Sequence, residues 1–217
     1  GAPQDLAMIF RRILESPNQD ADAQLSLLNA LASAATTRNV RPAGDLSLLD
    51  EILEVSDERV AAAAARLLGI WKIEQVRPDL VRLAETPKEP AERNLAAVAA
   101  LGDLGGSASL QALIKLSSDS FTPPTRQAAV MALAKGYPSA AGQAAVSLLT
   151  SVEPGTVDAA QIVETFVTRQ NAAAAFRAAL ADKKVVLVCS STTGIGDIPQ
   201  NVEPLYAELT KKRPSLG

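Results

Sequence analysis

Apolar residues recur at helical spacing along the chain, and three apolar segments between residues 59 and 136 end alike. Residues 60–69, 95–102 and 128–136 are rich in alanine, leucine and valine, and each ends in a glycine. The glycines Gly69, Gly102 and Gly136 lie 33 and then 34 residues apart. A fixed period of this length is typical of helical repeat arrays, whose units bury their apolar faces against one another. The pattern therefore predicts an all-α, right-handed superhelix of about five or six helical pairs.

Each repeat is predicted to hold a first helix, A, and a second helix, B. The B helix of the first regular repeat runs from residue 59 to about residue 71. Its counterparts start near Pro90, with Leu95, Val98 and Leu101, and at Pro123, with Val130, Leu133 and Ala134. The apolar stripes of the predicted A helices are Leu46, Leu49, Ile52 and Leu53; Val76, Leu80, Leu83 and Ala84; Leu110, Leu113 and Ile114; and Ala145, Leu148 and Leu149. Proline and capping residues mark the breaks between helices, with Pro87 after one A helix, Pro90 at a B-helix start and Thr122 as a cap.

We expect a single domain over residues 1–217 with three parts. Residues 2–38 are a divergent N-terminal pair, residues 43–150 hold the regular repeats, and residues 155–212 hold divergent C-terminal helices. The run from Val185 to Cys189 is β-branched and favours a strand by propensity. We interpret it as helical, because a lone strand in a helical array leaves its backbone groups unpaired.

The composition limits the chemistry that the chain can perform. It has no histidine and one cysteine, Cys189, so metal sites built on His and Cys, Ser-His or Cys-His nucleophiles and an internal disulfide are excluded. The glycines around residues 193–197 lack the spacing of a dinucleotide or phosphate-binding loop. We predict no catalytic, cofactor-binding or metal-binding residue, and a protein that is not an enzyme.

The charge balance argues against a nucleic-acid partner. The chain has 21 basic and 24 acidic residues and a net charge of −3, without a dense basic stripe. The low aromatic content of 3% also argues against a helical-repeat enzyme that acts on DNA bases. No apolar run is long enough to span a membrane. Gly1 is typical of a residue that remains after tag removal, so a leader or a neighbouring domain is not excluded.

The recurring arginines and the single tryptophan each have two competing interpretations. Arg59, Arg93 and Arg126 occupy equivalent B-helix positions, and we expect each to pack on a neighbouring repeat and pair with an acid such as Asp57, Glu92 or Asp119. The alternative is a basic ladder on the concave face. Trp71, the single tryptophan, is interpreted as core at a repeat seam, with a partner anchor as the alternative.

The residues at the B-helix start and end resemble a known repeat. Asp57, Glu58 and Arg59 followed by an alanine-rich run and Leu68-Gly69 are similar to the HEAT (armadillo-like) repeat of the short bacterial kind. The tetratricopeptide and ankyrin patterns are absent. The resemblance covers residues 43–150 and implies a fold more than a function.

A narrower resemblance involves residues 175–194. Ala175 to Leu180, Lys184 to Val186 and Ser191 to Gly194 are similar to the HEAT segment of planctomycete and verrucomicrobial membrane-associated dehydrogenases. In that family the segment lies between a sugar-dehydrogenase-like propeller and a haem-binding cytochrome c domain. The chain has no Cys-x-x-Cys-His, so haem attachment is not carried over. The resemblance implies a periplasmic or cell-envelope location, which the residues themselves leave unknown.

The repeat array predicts a non-catalytic module that binds a protein or another domain of its parent chain, or acts as an interdomain spacer. The alternative is an accessory segment that positions the domains of a larger dehydrogenase and cytochrome c enzyme. Four residues are expected to lie exposed on the B-helix face and contact the partner: Arg66, Asn94, Gln127 and Lys135.

Overall fold

The computed structural model describes residues 3–14, 20–41, 50–55, 57–86, 92–153, 155–169 and 172–181. Within these ranges the regular structure is helical, and no strand occurs. The helices are α1 Pro3–Leu14, α2 Ala21–Arg38, α3 Asp50–Leu53, α4 Glu58–Ile70, α5 Arg77–Ala84, α6 Glu92–Leu104, α7 Gly106–Leu116, α8 Pro123–Leu133, α9 Pro138–Ser151, α10 Ala159–Val167 and α11 Ala172–Leu180. A short 3-10 turn, Glu74–Val76, precedes α5.

Successive helices pair and stack as an all-α solenoid, which confirms the predicted fold class. Within the described residues α1 contacts α2, α3 contacts α4, α5 contacts α6 and α7 contacts α8, and α9, α10 and α11 follow these four pairs. The second helices α2, α4, α6 and α8 pack against one another in chain order, and we call them the B layer. We call the first helices α3, α5, α7 and α9 the A layer.

Alanine and glycine let the B-layer helices approach closely. Helix α4 is almost entirely buried, because α2, α3 and α6 all contact it. A Cβ atom added at Gly69 would lie 2.7 Å from Ala100 Cα, and one added at Gly102 would lie 2.9 Å from Ala132 Cβ. These two glycines are therefore contact points between helices.

The spacing of the recurring glycines suggested that they mark equivalent helix ends, but they do not. Helix α4 continues through Gly69 to Ile70, and α6 continues past Gly102 to Leu104. Gly136 follows the end of α8, and a Cβ atom there would meet nothing within 4 Å. The first two glycines are required by packing, whereas the third lies in open space.

Polar side chains cap several helix starts. Asp57 accepts hydrogen bonds from Arg59 N at 2.9 Å and Val60 N at 3.3 Å, which satisfies two donors of the first turn of α4. Thr122 precedes α8, as predicted, but its side chain makes no capping bond and instead contacts Thr125 Oγ1 at 3.0 Å. Pro138 begins α9, where a proline is tolerated because its missing N–H would have no helical partner.

The stacking changes layer after α8. Helix α10 contacts α8 only lightly, whereas α9 packs closely on α11. A Cβ atom at Gly142 of α9 would lie 3.0 Å from Ala175 O of α11. The Phe166 and Phe176 rings stack with centroids 4.5 Å apart, which ties α10 to α11. The closest contact between repeats is therefore made by B-layer helices up to α8 and by α9 and α11 after it. The regular sequence landmarks fade in the same region.

Some predictions fall outside the described residues. They include the stripe positions Leu46 and Leu49, the prolines Pro87 and Pro90, and everything predicted for residues 182–217, such as the helix around Val185 to Cys189 and the last helix. The other predicted A-helix stripe residues lie on α3, α5, α7 and α9, except Val76, which ends the 3-10 turn before α5.

Candidate partner-binding surface

The recurring B-helix arginines hold neighbouring repeats together. Arg59 pairs with Asp22 of α2 at 2.9 Å and with its own cap Asp57 at 3.0 Å. Arg93 pairs with Glu58 of α4, the distance from Nε to Oε1 being 3.2 Å, and donates to Val55 O at 3.4 Å. Arg59 therefore contacts the preceding repeat through Asp22, and Arg93 contacts it through Glu58 and Val55.

Arg126 is the buried member of this series. Its side chain is 5% exposed, donates to Ser117 O at 3.3 Å and Ser151 Oγ at 2.9 Å, and lies 3.2 Å from Asp119. A buried guanidinium needs several acceptors, and these contacts supply them. The three arginines therefore serve the repeat interfaces, as expected, and the basic-ladder alternative is not supported.

One expected ion pair was assigned to the wrong acid. Glu92 pairs with Arg66 at 3.0 Å, not with its sequence neighbour Arg93. Adjacent helical residues point in different directions, whereas Glu58 of the preceding repeat faces Arg93.

The ion pairs between repeats share one polarity. In most of them the carboxylate belongs to the earlier repeat and the cation to the later one. They are Asp22 with Arg59, Glu58 with Arg93, Glu54 with Arg82, Glu85 with Lys115 at 2.7 Å, and Asp103 with Lys135 at 2.6 Å. Arg66 with Glu92 has the reverse order.

Two of the four predicted partner-binding residues lie exposed on the B layer. The Arg66 side chain is 49% exposed and reaches from α4 to Glu92 at the start of α6. Lys135, just after α8, is 32% exposed and pairs with Asp103 near the end of α6. Each side chain thus spans a repeat boundary, and its charged group stays near the surface.

The other two predicted residues are more enclosed. Gln127 is half-buried, donates to Gln161 Oε1 at 2.7 Å and accepts from Asp158 N at 3.0 Å. Asn94 is buried, 6% exposed, and its Nδ2 donates to Leu83 O at 2.6 Å. The prediction that Asn94 lies exposed is wrong, because its position at the start of α6 faces the end of α5 and not solvent.

A groove lies at the ends of α4, α6 and α8, and we call it the B-layer groove. Its volume is about 480 Å³, and it is lined by Gly69, Ile70, Lys72, Gly102, Asp103, Gly105, Lys135, Gly136 and Tyr137. Of the four predicted residues it includes Lys135 alone. Sequence reasoning missed Lys72, an exposed residue directly after the buried Trp71. The burial of Trp71 supports the predicted core role of that side chain.

A second groove lies in the A layer, between the end of α7 and α9. Its volume is about 530 Å³, and its lining includes Ile114, Asp119, Gln143 and four serines. Ile114 is 49% exposed there. The lining carries one charged side chain, Asp119, which is already paired with Arg126.

The shifted pKa values belong to ion-paired surface groups. Hydrogen bonding to Arg59 lowers the pKa of Asp57, and Asp57 followed by Asp22 raises the pKa of Arg59. Glu54 followed by Asp79 raises the pKa of Arg82. Each shift favours the charged form, so these groups act as fixed charges and not as proton donors or acceptors.

The described ranges contain neither a metal-binding cluster nor a membrane-spanning helix. No group of three or more Asp, Glu, Cys or His residues in these ranges could hold a metal ion. None of the described helices combines the length and apolarity needed to cross a membrane.

A family model described as HEAT repeats matches residues 46–134, which supports a HEAT-repeat protein. The matched region includes the helices α3 to α8. No curated protein sequence matches the chain. The resemblance to the dehydrogenase segments therefore stays a prediction.

Proposed function

From the HEAT repeats over residues 46–134, we propose that the chain is a non-catalytic module that binds a protein or another domain of its parent chain through its B layer. Helical repeat arrays present extended surfaces of this kind. The observation that carries the proposal is the close stacking of α4, α6 and α8, which makes the ends of three helices one continuous surface.

The contacts between repeats give this surface a fixed arrangement of charge. Arg66 is held by Glu92 and Lys135 by Asp103, so both cations keep defined positions before a partner arrives. A pre-organised surface pays less conformational entropy on binding than one built from mobile side chains. This arrangement suits a scaffold or spacer that positions a protein or another domain of the parent chain.

Paired charge swaps test the proposal. The variant Arg66→Glu, Glu92→Arg, Lys135→Asp, Asp103→Lys keeps each pair but reverses the charge pattern of the B layer. The matched control Glu85→Lys, Lys115→Glu swaps an A-layer pair. Tagged forms of all three proteins are used to capture partners from a lysate of the source cells.

We expect one protein, or one domain of the parent chain, to be retained by the natural sequence and the A-layer swap and lost from the B-layer swap. Far-ultraviolet circular dichroism and thermal unfolding check that both swaps fold. Equal retention by a folded B-layer swap would refute the B layer as the binding surface.

The second candidate is an accessory segment of a larger periplasmic dehydrogenase and cytochrome c enzyme. Part of the supporting resemblance, Ala175 to Leu180, lies on α11, which packs on α9. A gene that encodes Cys-x-x-Cys-His after this segment would support the candidate. A gene without propeller or haem-binding sequences would exclude it.

A further inference from the structure

The B-layer groove contains an uncompensated cation. Of its two lysines, Lys135 is paired with Asp103 at 2.6 Å. Lys72 is exposed and makes no ion pair or hydrogen bond through its ammonium group within the described residues. The side chains that line the groove therefore carry one net positive charge, located at Lys72.

The helix ends around the groove are capped by backbone donors. Ile73 N donates to Leu68 O at 3.1 Å, Gly105 N to Leu101 O at 3.1 Å and Tyr137 N to Leu133 O at 2.7 Å. Helix C-termini carry partial negative charge on their unsatisfied carbonyls, and capping reduces it. These bonds satisfy one carbonyl at each helix end, and the lysines supply the formal positive charge of the groove.

The same end of the B layer carries a further cation. The pair between Asp22 and Arg59 sets the register of α2 against α4. In this register α2 ends with the exposed Arg38 at the end of the layer where α4 reaches Lys72. Arg38 is therefore a further cation at this end of the layer, outside the residues that line the groove.

The groove also has free space beside its cations. A Cβ atom at Gly136 would meet nothing within 4 Å, and one at Gly105 would approach only the Tyr137 hydroxyl, at 4.0 Å. About 480 Å³ accommodates several side chains of an extended segment. Two lysines are too few for a nucleic-acid backbone, which is bound by many cations along its track.

We propose that the B-layer groove binds an acidic peptide segment of a protein partner, with a carboxylate on Lys72 and a second near Lys135. The inference rests on the proposed function, because it specifies the chemistry of the partner of the B layer. Complementary charge across the contact favours encounter and orientation.

A short poly-glutamate peptide is the probe, and the emission of Trp71 is the readout. Trp71 is the single tryptophan of the chain and directly precedes Lys72. We expect a saturable change in its emission at low salt that weakens as salt rises. A neutral peptide of the same length should not produce it.

Lys72→Gly is the test variant, because Lys72 has φ 54°, a conformation that glycine adopts without strain. Removing one exposed charge contact should weaken poly-glutamate binding about fivefold. Lys72→Arg should bind like the natural protein, and Lys115→Ala, which removes an A-layer cation, should also bind normally.

Equal binding by Lys72→Gly, or no binding by the natural protein, would overturn the proposal, as would equal binding of the neutral peptide. Tighter binding of a single-stranded DNA oligonucleotide than of poly-glutamate would assign the groove to a different class of ligand. If Lys72→Gly binds the lysate partner that the B-layer swap loses with the same affinity as the natural protein, the proposed function stands and this inference fails.

Discussion

At the residue scale, two glycines set the distance between B-layer helices. Glycine inside a helix costs roughly 1 kcal/mol relative to alanine, so its presence there needs a packing reason. The reason is steric at Gly69 and Gly102, since an added Cβ would lie under 3 Å from the next helix. The sequence showed that glycines recur, but it did not show that they contact the next repeat.

Gly69→Ala should therefore destabilise the protein. The new Cβ would lie 2.7 Å from the backbone atom Ala100 Cα, which can move only if α4 and α6 separate. We expect a loss of about 1–3 kcal/mol in the free energy of unfolding, measured by urea denaturation. The control Gly136→Ala, with nothing within 4 Å of its Cβ, should be neutral. Equal effects of the two changes would contradict the packing role.

Asp57 gives a pH-dependent prediction at the same scale. Hydrogen bonding to Arg59 lowers the pKa of Asp57, so the ionised form of Asp57 is more favoured in the folded state than in the unfolded chain. This contribution is present above the unfolded pKa, about 3.9, and is lost as pH falls through the lower folded value.

Asp57→Asn keeps a capping side chain but removes the charge. The variant should be less stable than the natural protein at pH 7, and the difference should shrink below about pH 4. Urea denaturation at pH 7 and pH 3 measures both values. A difference that is the same at the two pH values would show that Asp57 acts without its charge.

At the element scale, the positions of the helices were more predictable than their rotation. Apolar spacing and proline predicted the positions of α5, α7 and α8 correctly, because a helix that buries one face has apolar residues at helical spacing. The side-chain partners were not predictable, because they depend on how one helix faces another. Asn94 was expected to be exposed, yet it donates to Leu83 O across a helix pair. Arg93 likewise contacts Glu58, which is 35 positions away in sequence.

Most of the ion pairs between successive repeats share one polarity, and the pair between Asp103 and Lys135 is suited to a double-mutant cycle. Asp103→Lys and Lys135→Asp should each destabilise the protein, because each places like charges together. The double swap should recover most of the loss, with a coupling of about 0.2–1 kcal/mol, since both groups are about one-third exposed. Additive effects of the two changes would mean that the pair does not join α6 to α8.

At the scale of the whole molecule, the sequence repeat predicts the architecture but not the function, which depends on the residues at the surface. The repeat period identified the solenoid because each unit must bury its face on the next. The B-layer groove was not predictable, since it forms from helix ends that lie about one repeat apart in sequence. Lys72 is a candidate partner-binding residue because of its neighbours at the ends of three helices, and the sequence does not show these neighbours.

The most direct test of this account is photocrosslinking from the two grooves. A photoreactive amino acid is placed at Gly136, in open space in the B-layer groove, or at Ile114, exposed in the A-layer groove. We expect a discrete crosslinked partner from position 136 and none from position 114 when either protein is irradiated in the source-cell lysate. A partner crosslinked only from position 114 would place binding on the A layer and contradict the account.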